Sequence, residues 1–240
     1  MSKIVERTLD FIELFAKERR PLTLSDMARL LSIPVSSCHD VVRTLQSRGF
    51  LYELAPRSGF YPTLRLYNLV GDIVRSDPLL MRVKNVLEGV RDEIDETLAV
   101  SKAAGTRLTY VLVLEAAHPL RYTMRVGDEL RSLHATSAGK CLLGTMPDSA
   151  VDKLKLVAMT PHTNMSKDDL RADIKRSVER GWYLNREESV VGVTTISARF
   201  EWLGTLYIVT MAGPSSRMEG KLELAGERLR TACAQLSMDP

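Results

Sequence analysis

Long hydrophobic runs are missing from this chain. No stretch of its 240 residues approaches the roughly 18 to 20 consecutive apolar side chains that span a bilayer. Lys3, Glu6, Arg7 and Asp10 interrupt any signal-peptide-like start, so no membrane partner and a cytoplasmic location are expected. Cysteine is scarce: Cys38, Cys141 and Cys233 are odd in number, far apart and without a Cys-x-x-Cys pair. That excludes a disulfide framework or a zinc cluster and suits a reducing compartment. His39, His118, His134 and His162 are scattered without i,i+4 pairing, so neither metal nor cofactor is expected. An excess of one sign of charge is nearly absent too, with 33 Lys and Arg against 30 Asp and Glu. The whole formal excess of +3 falls in Met1 to Arg75, which holds 11 basic and 8 acidic residues. What remains is ordinary for globular proteins, 45% hydrophobic and 26% charged, with length for two modest domains and no repeat.

The most informative stretch is Thr23 to Phe60. Thr23 and Ser25 offer N-cap oxygens ahead of Met27, Ala28, Leu30 and Leu31, whose spacing predicts a helix to about Ser32. Ile33-Pro34 breaks it, and proline is well tolerated in a first turn, so a second helix is predicted from Pro34-Val35 to Arg48 and ended by Gly49. Val35, Cys38, Val41, Val42 and Leu45 form its apolar face. Ser36, Ser37, His39, Asp40, Arg43, Thr44 and Arg48 face elsewhere, short and partly basic, as a helix reading a DNA major groove requires. Phe50 to Glu53 and Tyr61 to Leu64 flank Ala55 to Gly59 as a hairpin, a wing with Arg57 and Ser58 at its tip. The pattern is a winged helix-turn-helix. Double-stranded DNA is the expected partner, through Thr23, Ser25, Ser36, Ser37, His39, Arg43, Thr44, Arg48, Arg57 and Ser58.

A further helix over Ile4 to Ala16 should pack behind this motif on Ile4, Leu9, Ile12, Leu14 and Phe15. Leu64 to Arg75 reads as a helix, and Ser76-Asp77-Pro78 as a stop and restart, which divides a DNA-binding domain, 1–75, from a second domain, 76–240. A linker helix is predicted from Pro78 to Leu98. Strands follow at Leu98 to Ala103, Leu108 to Glu115 and Arg121 to Val126, then a loop entering a helix over Ala135 to Leu143. Helices are expected over Asp148 to Leu156 and Lys167 to Arg180, strands at Tyr183-Leu184, Thr194 to Phe200 and Gly204 to Met211, and a last helix over Leu222 to Leu236. Strand pairs interleaved with helices point to an α+β domain on one central antiparallel sheet.

With these segments placed, the chain resembles the isocitrate-lyase-regulator (IclR) family of bacterial transcription regulators over essentially its whole length. The resemblance rests on Glu6 to Asp10 with the following helix-turn-helix, on Leu133-His134-Ala135-Thr136-Ser137-Ala138-Gly139-Lys140-Cys141-Leu142-Leu143, and on Arg180-Gly181-Trp182 through Glu187-Glu188 and Gly192 to Ala198. It implies a winged helix-turn-helix joined by a linker helix to a GAF-like effector-binding domain, acting as a homodimer or dimer of dimers on near-palindromic operators. It also implies a small-molecule effector, a carboxylate or aromatic acid, held by Leu120, Ser137, Ala138, Gly139, Asn185, Val193, Thr195, Thr210 and Ala212. Backbone amides from Ser137 to Gly139 would suit a carboxylate, Thr195 and Thr210 could donate to it, and Leu120 and Val193 would wall it. Three positions depart from the family's habit: Asn185 where an acid is frequent, Thr195 where cysteine is, and Asp40 where arginine is. The effector and operator of relatives therefore do not transfer, and repressor and activator remain equally admissible.

Ser137-Ala138-Gly139-Lys140 also spells the S-x-x-K nucleophile motif of acyl enzymes, but the partner motifs Ser-Asp-Asn and Lys-Thr-Gly are absent. His134 and Cys141 are seven residues apart, a spacing that does not bring them together on a helix face. The vicinal carboxylates Glu187-Glu188 and Asp168-Asp169 read as solvated. No catalytic residue is assigned. A DNA-binding protein whose second domain only dimerises would fill that domain's interior with large side chains, whereas Ser137, Thr195, Thr210 and Ala212 are small.

Overall fold

A computed structural model describes residues 3–55, 58–130 and 132–238. The chain forms two compact units, Met1–Asp77 and Pro78–Pro240.

In the first unit, α1 (Lys3–Glu18) precedes α2 (Leu24–Leu31), α3 (Val35–Ser47), a hairpin of β1 (Leu51–Glu53) and β2 (Phe60–Pro62), and α4 (Arg65–Arg75). Thr23 caps α2 in a capping box: its hydroxyl accepts from Asp26 N at 3.2 Å, while Asp26 Oδ2 accepts from Thr23 N at 3.2 Å. Ser25 therefore lies inside the helix rather than at its cap. Pro34 starts α3, and the buried faces of these helices meet in a core of Phe11, Leu14, Phe15, Leu22, Met27, Ala28, Cys38, Val42 and Leu51. Leu22 pairs with Phe60 through two backbone bonds of 2.8 and 3.1 Å, adding a third edge to the wing. Gly59, at φ +105°, lies so close that a Cβ there would come within 3.0 Å of the Leu22 backbone, which reserves the position for glycine. Three apolar expectations are corrected. Ile4, Leu9 and Val35 are 72, 55 and 50% exposed, while Phe11, at 0%, is the α1 side chain that fills the core.

In the second unit, α5 (Pro78–Ile94) leads into β3 (Thr97–Ala104) and β4 (Arg107–Leu114). Asp95, at φ +52°, ends the helix, so Leu98 belongs to a strand and not to α5 as its apolar spacing suggested. Then come α6 (Ser137–Leu143), α7 (Ser149–Asp152), α8 (Lys167–Arg180), β5 (Tyr183–Arg186), β6 (Val193–Trp202), β7 (Thr205–Pro214), α9 (Ser215–Met218) and α10 (Leu222–Met238). The five strands lie in the order β4-β3-β7-β6-β5, every neighbour antiparallel. Period-two alternation sends Ile196, Ala198, Val209 and Met211 toward α5 and α10, where they pack with Val83, Leu87, Leu229 and Trp182. Ile208 faces the other way, with Ala138, Cys141 and Leu142 of α6. Each large side chain so buried contributes roughly 1.5 to 3 kcal/mol.

The expected strand at Arg121 to Val126 is absent. Its alternating side chains, with Met124 buried against Ala99 and Ala212, follow an irregular segment laid over the sheet. That segment returns to β4 only through the Thr109–Glu129 bridge and bonds such as Tyr110 N to Asp128 O, 3.0 Å. The helix expected over Asp148 to Leu156 shrinks to the four residues of α7. Among the described residues, no helix is long and apolar enough to cross a membrane.

Candidate DNA face and effector cavity

The polar surface of α3 divides into two stripes. Ser36, His39, Asp40 and Arg43 stand exposed along one, with His39 Nδ1 3.8 Å from Asp40 Oδ1. Ser37, Thr44 and Arg48 lie along the other, toward α1. Arg7 donates to Ser37 Oγ at 3.5 Å, and Thr44 and Arg48 border an apolar cleft with Thr8, Phe11, Tyr61 and Leu66. Several hydroxyls are already engaged: Thr44 Oγ1 donates to Asp40 O at 2.9 Å, Ser58 Oγ closes the turn on Ala55, and Thr23 caps α2. Ser25 is exposed on α2. Arg57 lies outside the described residues.

The second unit holds a cavity of about 420 Å³ above β6 and β7. Its floor is a chain of hydroxyls. Thr195 Oγ1 is 2.7 Å from Ser137 Oγ, Ser137 Oγ is 2.8 Å from Ser197 Oγ, and Ser197 Oγ is 2.9 Å from Thr210 Oγ1. The antiparallel register makes Ser197 and Thr210 direct partners across the two strands, and α6 drops Ser137 between them. Tyr110, Tyr122, Met124, Leu130, Met159 and Val190 supply the walls. Burial first, then Tyr122 and Asp128, push the Tyr110 phenol up to about 12, so it stays a hydrogen-bond donor at neutral pH.

Ser137, Ala138, Thr195 and Thr210 thus line one space. The other residues implied by resemblance do not. Gly139 gives its amide to Thr136 Oγ1 at 3.1 Å and packs so tightly that a Cβ would lie 2.3 Å from Leu133 O. Asn185, fully buried, donates to Ala135 O and Ser189 Oγ and accepts from Glu188 N, which staples the loop beside the cavity. Ala212 supports Met124 from behind, Val193 stands outside the lining, and Leu120 is 68% exposed. Tyr110, Tyr122, Thr136, Ser189 and Ser197 were not singled out from sequence. Of these, Ser197 was the most accessible, two residues beyond Thr195 on the same face of one strand.

Lys140 departs from its motif reading. Its ammonium is buried, 2.8 Å from Asp173 Oδ2, 2.5 Å from Glu188 Oε1 and 3.2 Å from Leu184 O, while the Ser137 hydroxyl is engaged by Thr195 and Ser197. Serine and lysine thus make no nucleophile pair. Glu188, expected in solvent, is buried instead, and burial pushes its carboxyl above the usual range against the pull of Lys140. His134 is likewise buried, with Nδ1 3.0 Å from Ser132 Oγ and Nε2 3.1 Å from Val157 O, while burial raises the Cys141 thiol to about 12. Among the described residues, no group of three or more potential ligands could hold a metal.

The IclR helix-turn-helix domain family matches residues 4–55, and the bacterial transcriptional regulator IclR C-terminal family matches residues 72–238. The chain belongs to the IclR family. As an IclR regulator it is similar to the HTH-type transcriptional repressor AllR of Escherichia coli K12, 25% identical over 98% of this chain and 89% of the relative. RHA06195 from Rhodococcus sp. RHA1 shares the fold at TM-score 0.77 and 23% identity, covering 100% of this chain and 98% of that one. So does an IclR homolog from Microbacterium hydrocarbonoxydans, complexed with 4-hydroxybenzoate, at TM-score 0.71 and 21% identity over 99% and 98%. The chain is therefore a transcriptional regulator of the IclR type, with a helix-turn-helix DNA-binding domain and an α/β domain on a five-stranded antiparallel sheet.

Proposed function

We propose that this IclR regulator binds near-palindromic operator DNA as a homodimer, or a pair of dimers, and that a small molecule in the hydroxyl-floored cavity sets its DNA affinity. The cavity carries the reading. Three small hydroxyl side chains from three elements, Ser137, Thr195 and Thr210, line a space large enough for a compact metabolite and are joined beneath it by Ser197, where a purely structural domain would place bulk. The Microbacterium homolog holding 4-hydroxybenzoate supports an aromatic occupant. On the DNA side, we read Ser36, His39 and Arg43 as contacts to base edges, and Arg43, Arg48 and Arg57 as contacts to phosphates.

Self-association is supported by α4, an amphipathic helix with no buried residue, whose Tyr67, Val70 and Ile73 are 50 to 77% exposed. Such a face needs a partner, and a two-fold axis would match a palindromic operator. A ligand changes DNA affinity only by its preference for one dimer geometry over another. Within the second unit, the strand bearing Thr210 is tied to the end of α5. Buried Glu96 accepts from Arg217 Nε and Nη2, each at 2.8 Å, and lies 3.1 Å from Lys221 Nζ.

The test is binding of the purified protein to DNA upstream of its own gene, at two salt concentrations, with and without small aromatic compounds. Sequence-selective, salt-dependent binding that one compound shifts is expected. Binding with no sequence preference under every condition would sink the proposal.

A further inference from the structure

We propose that the cavity selects aromatic hydroxyl compounds that carry no negative charge, so that phenols and phenolic amines bind in preference to phenolic acids. The inference rests on the effector-site reading and adds the ligand's charge. Two observations carry it, one on the floor of the cavity and one at its rim.

The floor is amphoteric. Thr195, Ser137, Ser197 and Thr210 form a line of four hydroxyls joined by three hydrogen bonds. Each hydroxyl has one proton, so three are consumed inside the line and one is left over. If the fourth proton leaves at Thr195, Thr210 is the accepting end; if the line reverses, the roles exchange. Both ends line the cavity. A ligand hydroxyl, which donates and accepts, can answer either end, whereas a carboxylate only accepts and suits the donating end alone. Of the two ends, Thr210 is 4% exposed, so leaving it without a partner in a filled cavity is costly, whereas Thr195 is half-buried.

The rim is acidic. Among the described residues, the charged side chains lining the cavity are Asp128 and Glu129, both carboxylates, and no Lys, Arg or His joins them. Arg107 neutralises Glu129 by an ion pair. Asp128 stands exposed at the mouth and is one of the groups that hold the Tyr110 proton in place. A carboxylate ligand would enter against Asp128, whereas an ammonium group would be drawn by it. Between floor and rim, Tyr110, Tyr122, Met124 and Met159 form a wall of rings and thioethers suited to an aromatic body.

The experiment is calorimetric titration of the full chain with three probes of one shape: 4-ethylphenol, tyramine and 4-hydroxyphenylacetate. It is run on the wild type, on Asp128→Asn, and on Val190→Trp, a half-exposed lining position where a bulky side chain blocks the mouth without entering the core. The phenol and the amine should bind more tightly than the acid, and Val190→Trp should weaken all three. Asp128→Asn should narrow the gap between amine and acid by about threefold, the scale of one exposed charge. Tighter binding of the acid, still blocked by Val190→Trp, would overturn the charge preference while leaving the effector site standing. Binding indifferent to Val190→Trp, or absent for all three probes, would overturn the site and this proposal with it.

Discussion

The two units place their polar chemistry differently, the first on its surface and the second in its interior. In Met1–Asp77 the candidate groups of α3 point outward and the core beneath is apolar, with Phe11, Met27, Cys38 and Val42 fully buried or nearly so. In Pro78–Pro240 the polar chemistry is inside: Ser137, Asn185, Ser197, Thr210, Lys140 and Glu188 are all buried. A surface that meets DNA can leave its hydrogen-bonding groups to water until the partner arrives. A cavity cannot, because a buried polar group without a partner costs about 1 to 3 kcal/mol. The second unit therefore satisfies most of its buried polar groups internally, by hydroxyl chain, amide staple and ion triad, with Ser101 Oγ, Trp182 Nε1 and Glu188 Oε2 the exceptions among the described residues.

Four changes test that contrast, from the largest effect to the smallest. Lys140→Met strips the cation from Asp173 and Glu188 and leaves a buried charge unpaired. The second unit should lose about 3 to 5 kcal/mol in chemical denaturation, with part returned by adding Glu188→Gln. Gly139→Ala forces a methyl against the Leu133 backbone and should cost about 1 to 3 kcal/mol in the same measurement, whereas Gly89→Ala, where nothing lies within 4 Å, should cost no more than a few tenths. In the first unit, Thr23→Ala removes the capping box of α2, with an expected loss of about 1 kcal/mol in thermal unfolding.

Arg43→Ala should leave stability unchanged. It should weaken binding to all DNA sequences alike and lower the slope of log affinity against log salt by about one. An unaltered slope would remove Arg43 from the DNA face.

The capping box also sets a pH dependence. The Thr23 hydroxyl and then the Thr23 amide hold the Asp26 carboxyl below its usual range. A carboxylate depressed in the folded state stabilises above its unfolded pKa and loses that contribution as pH falls through the folded value. Stability of the first unit should therefore fall on acidification below about pH 4, and Asp26→Asn should remove that part of the slope. An unchanged pH profile in the variant would show that Asp26 contributes nothing there.

The regular elements were largely legible because each carries its own period. α8 spans the expected Lys167 to Arg180, and α3, β3, β6 and β7 differ from expectation by a few residues at their ends. The failures share one cause. Tyr122 and Met124 alternate like a strand because they look into a cavity rather than because their backbone pairs. Ile4, Leu9 and Val35 are apolar yet exposed, since periodicity reports which residues are greasy and not what covers them. Of the residues suggested for a ligand, Ser137, Ala138, Thr195 and Thr210 share the cavity, whereas Asn185 and Gly139 serve the backbone around it.

By itself, the sequence determined most of the order of helices and strands and the family, because these follow from local spacing, capping and contiguous motifs. Only the tertiary structure decided that Lys140 faces Asp173 and Glu188 rather than Ser137, and that Ser137 meets Ser197 and Thr210 in one line. Those contacts join residues up to 60 positions apart. Their geometry depends on which strands pair and on how α6 lies across them, and no local period along the chain encodes either.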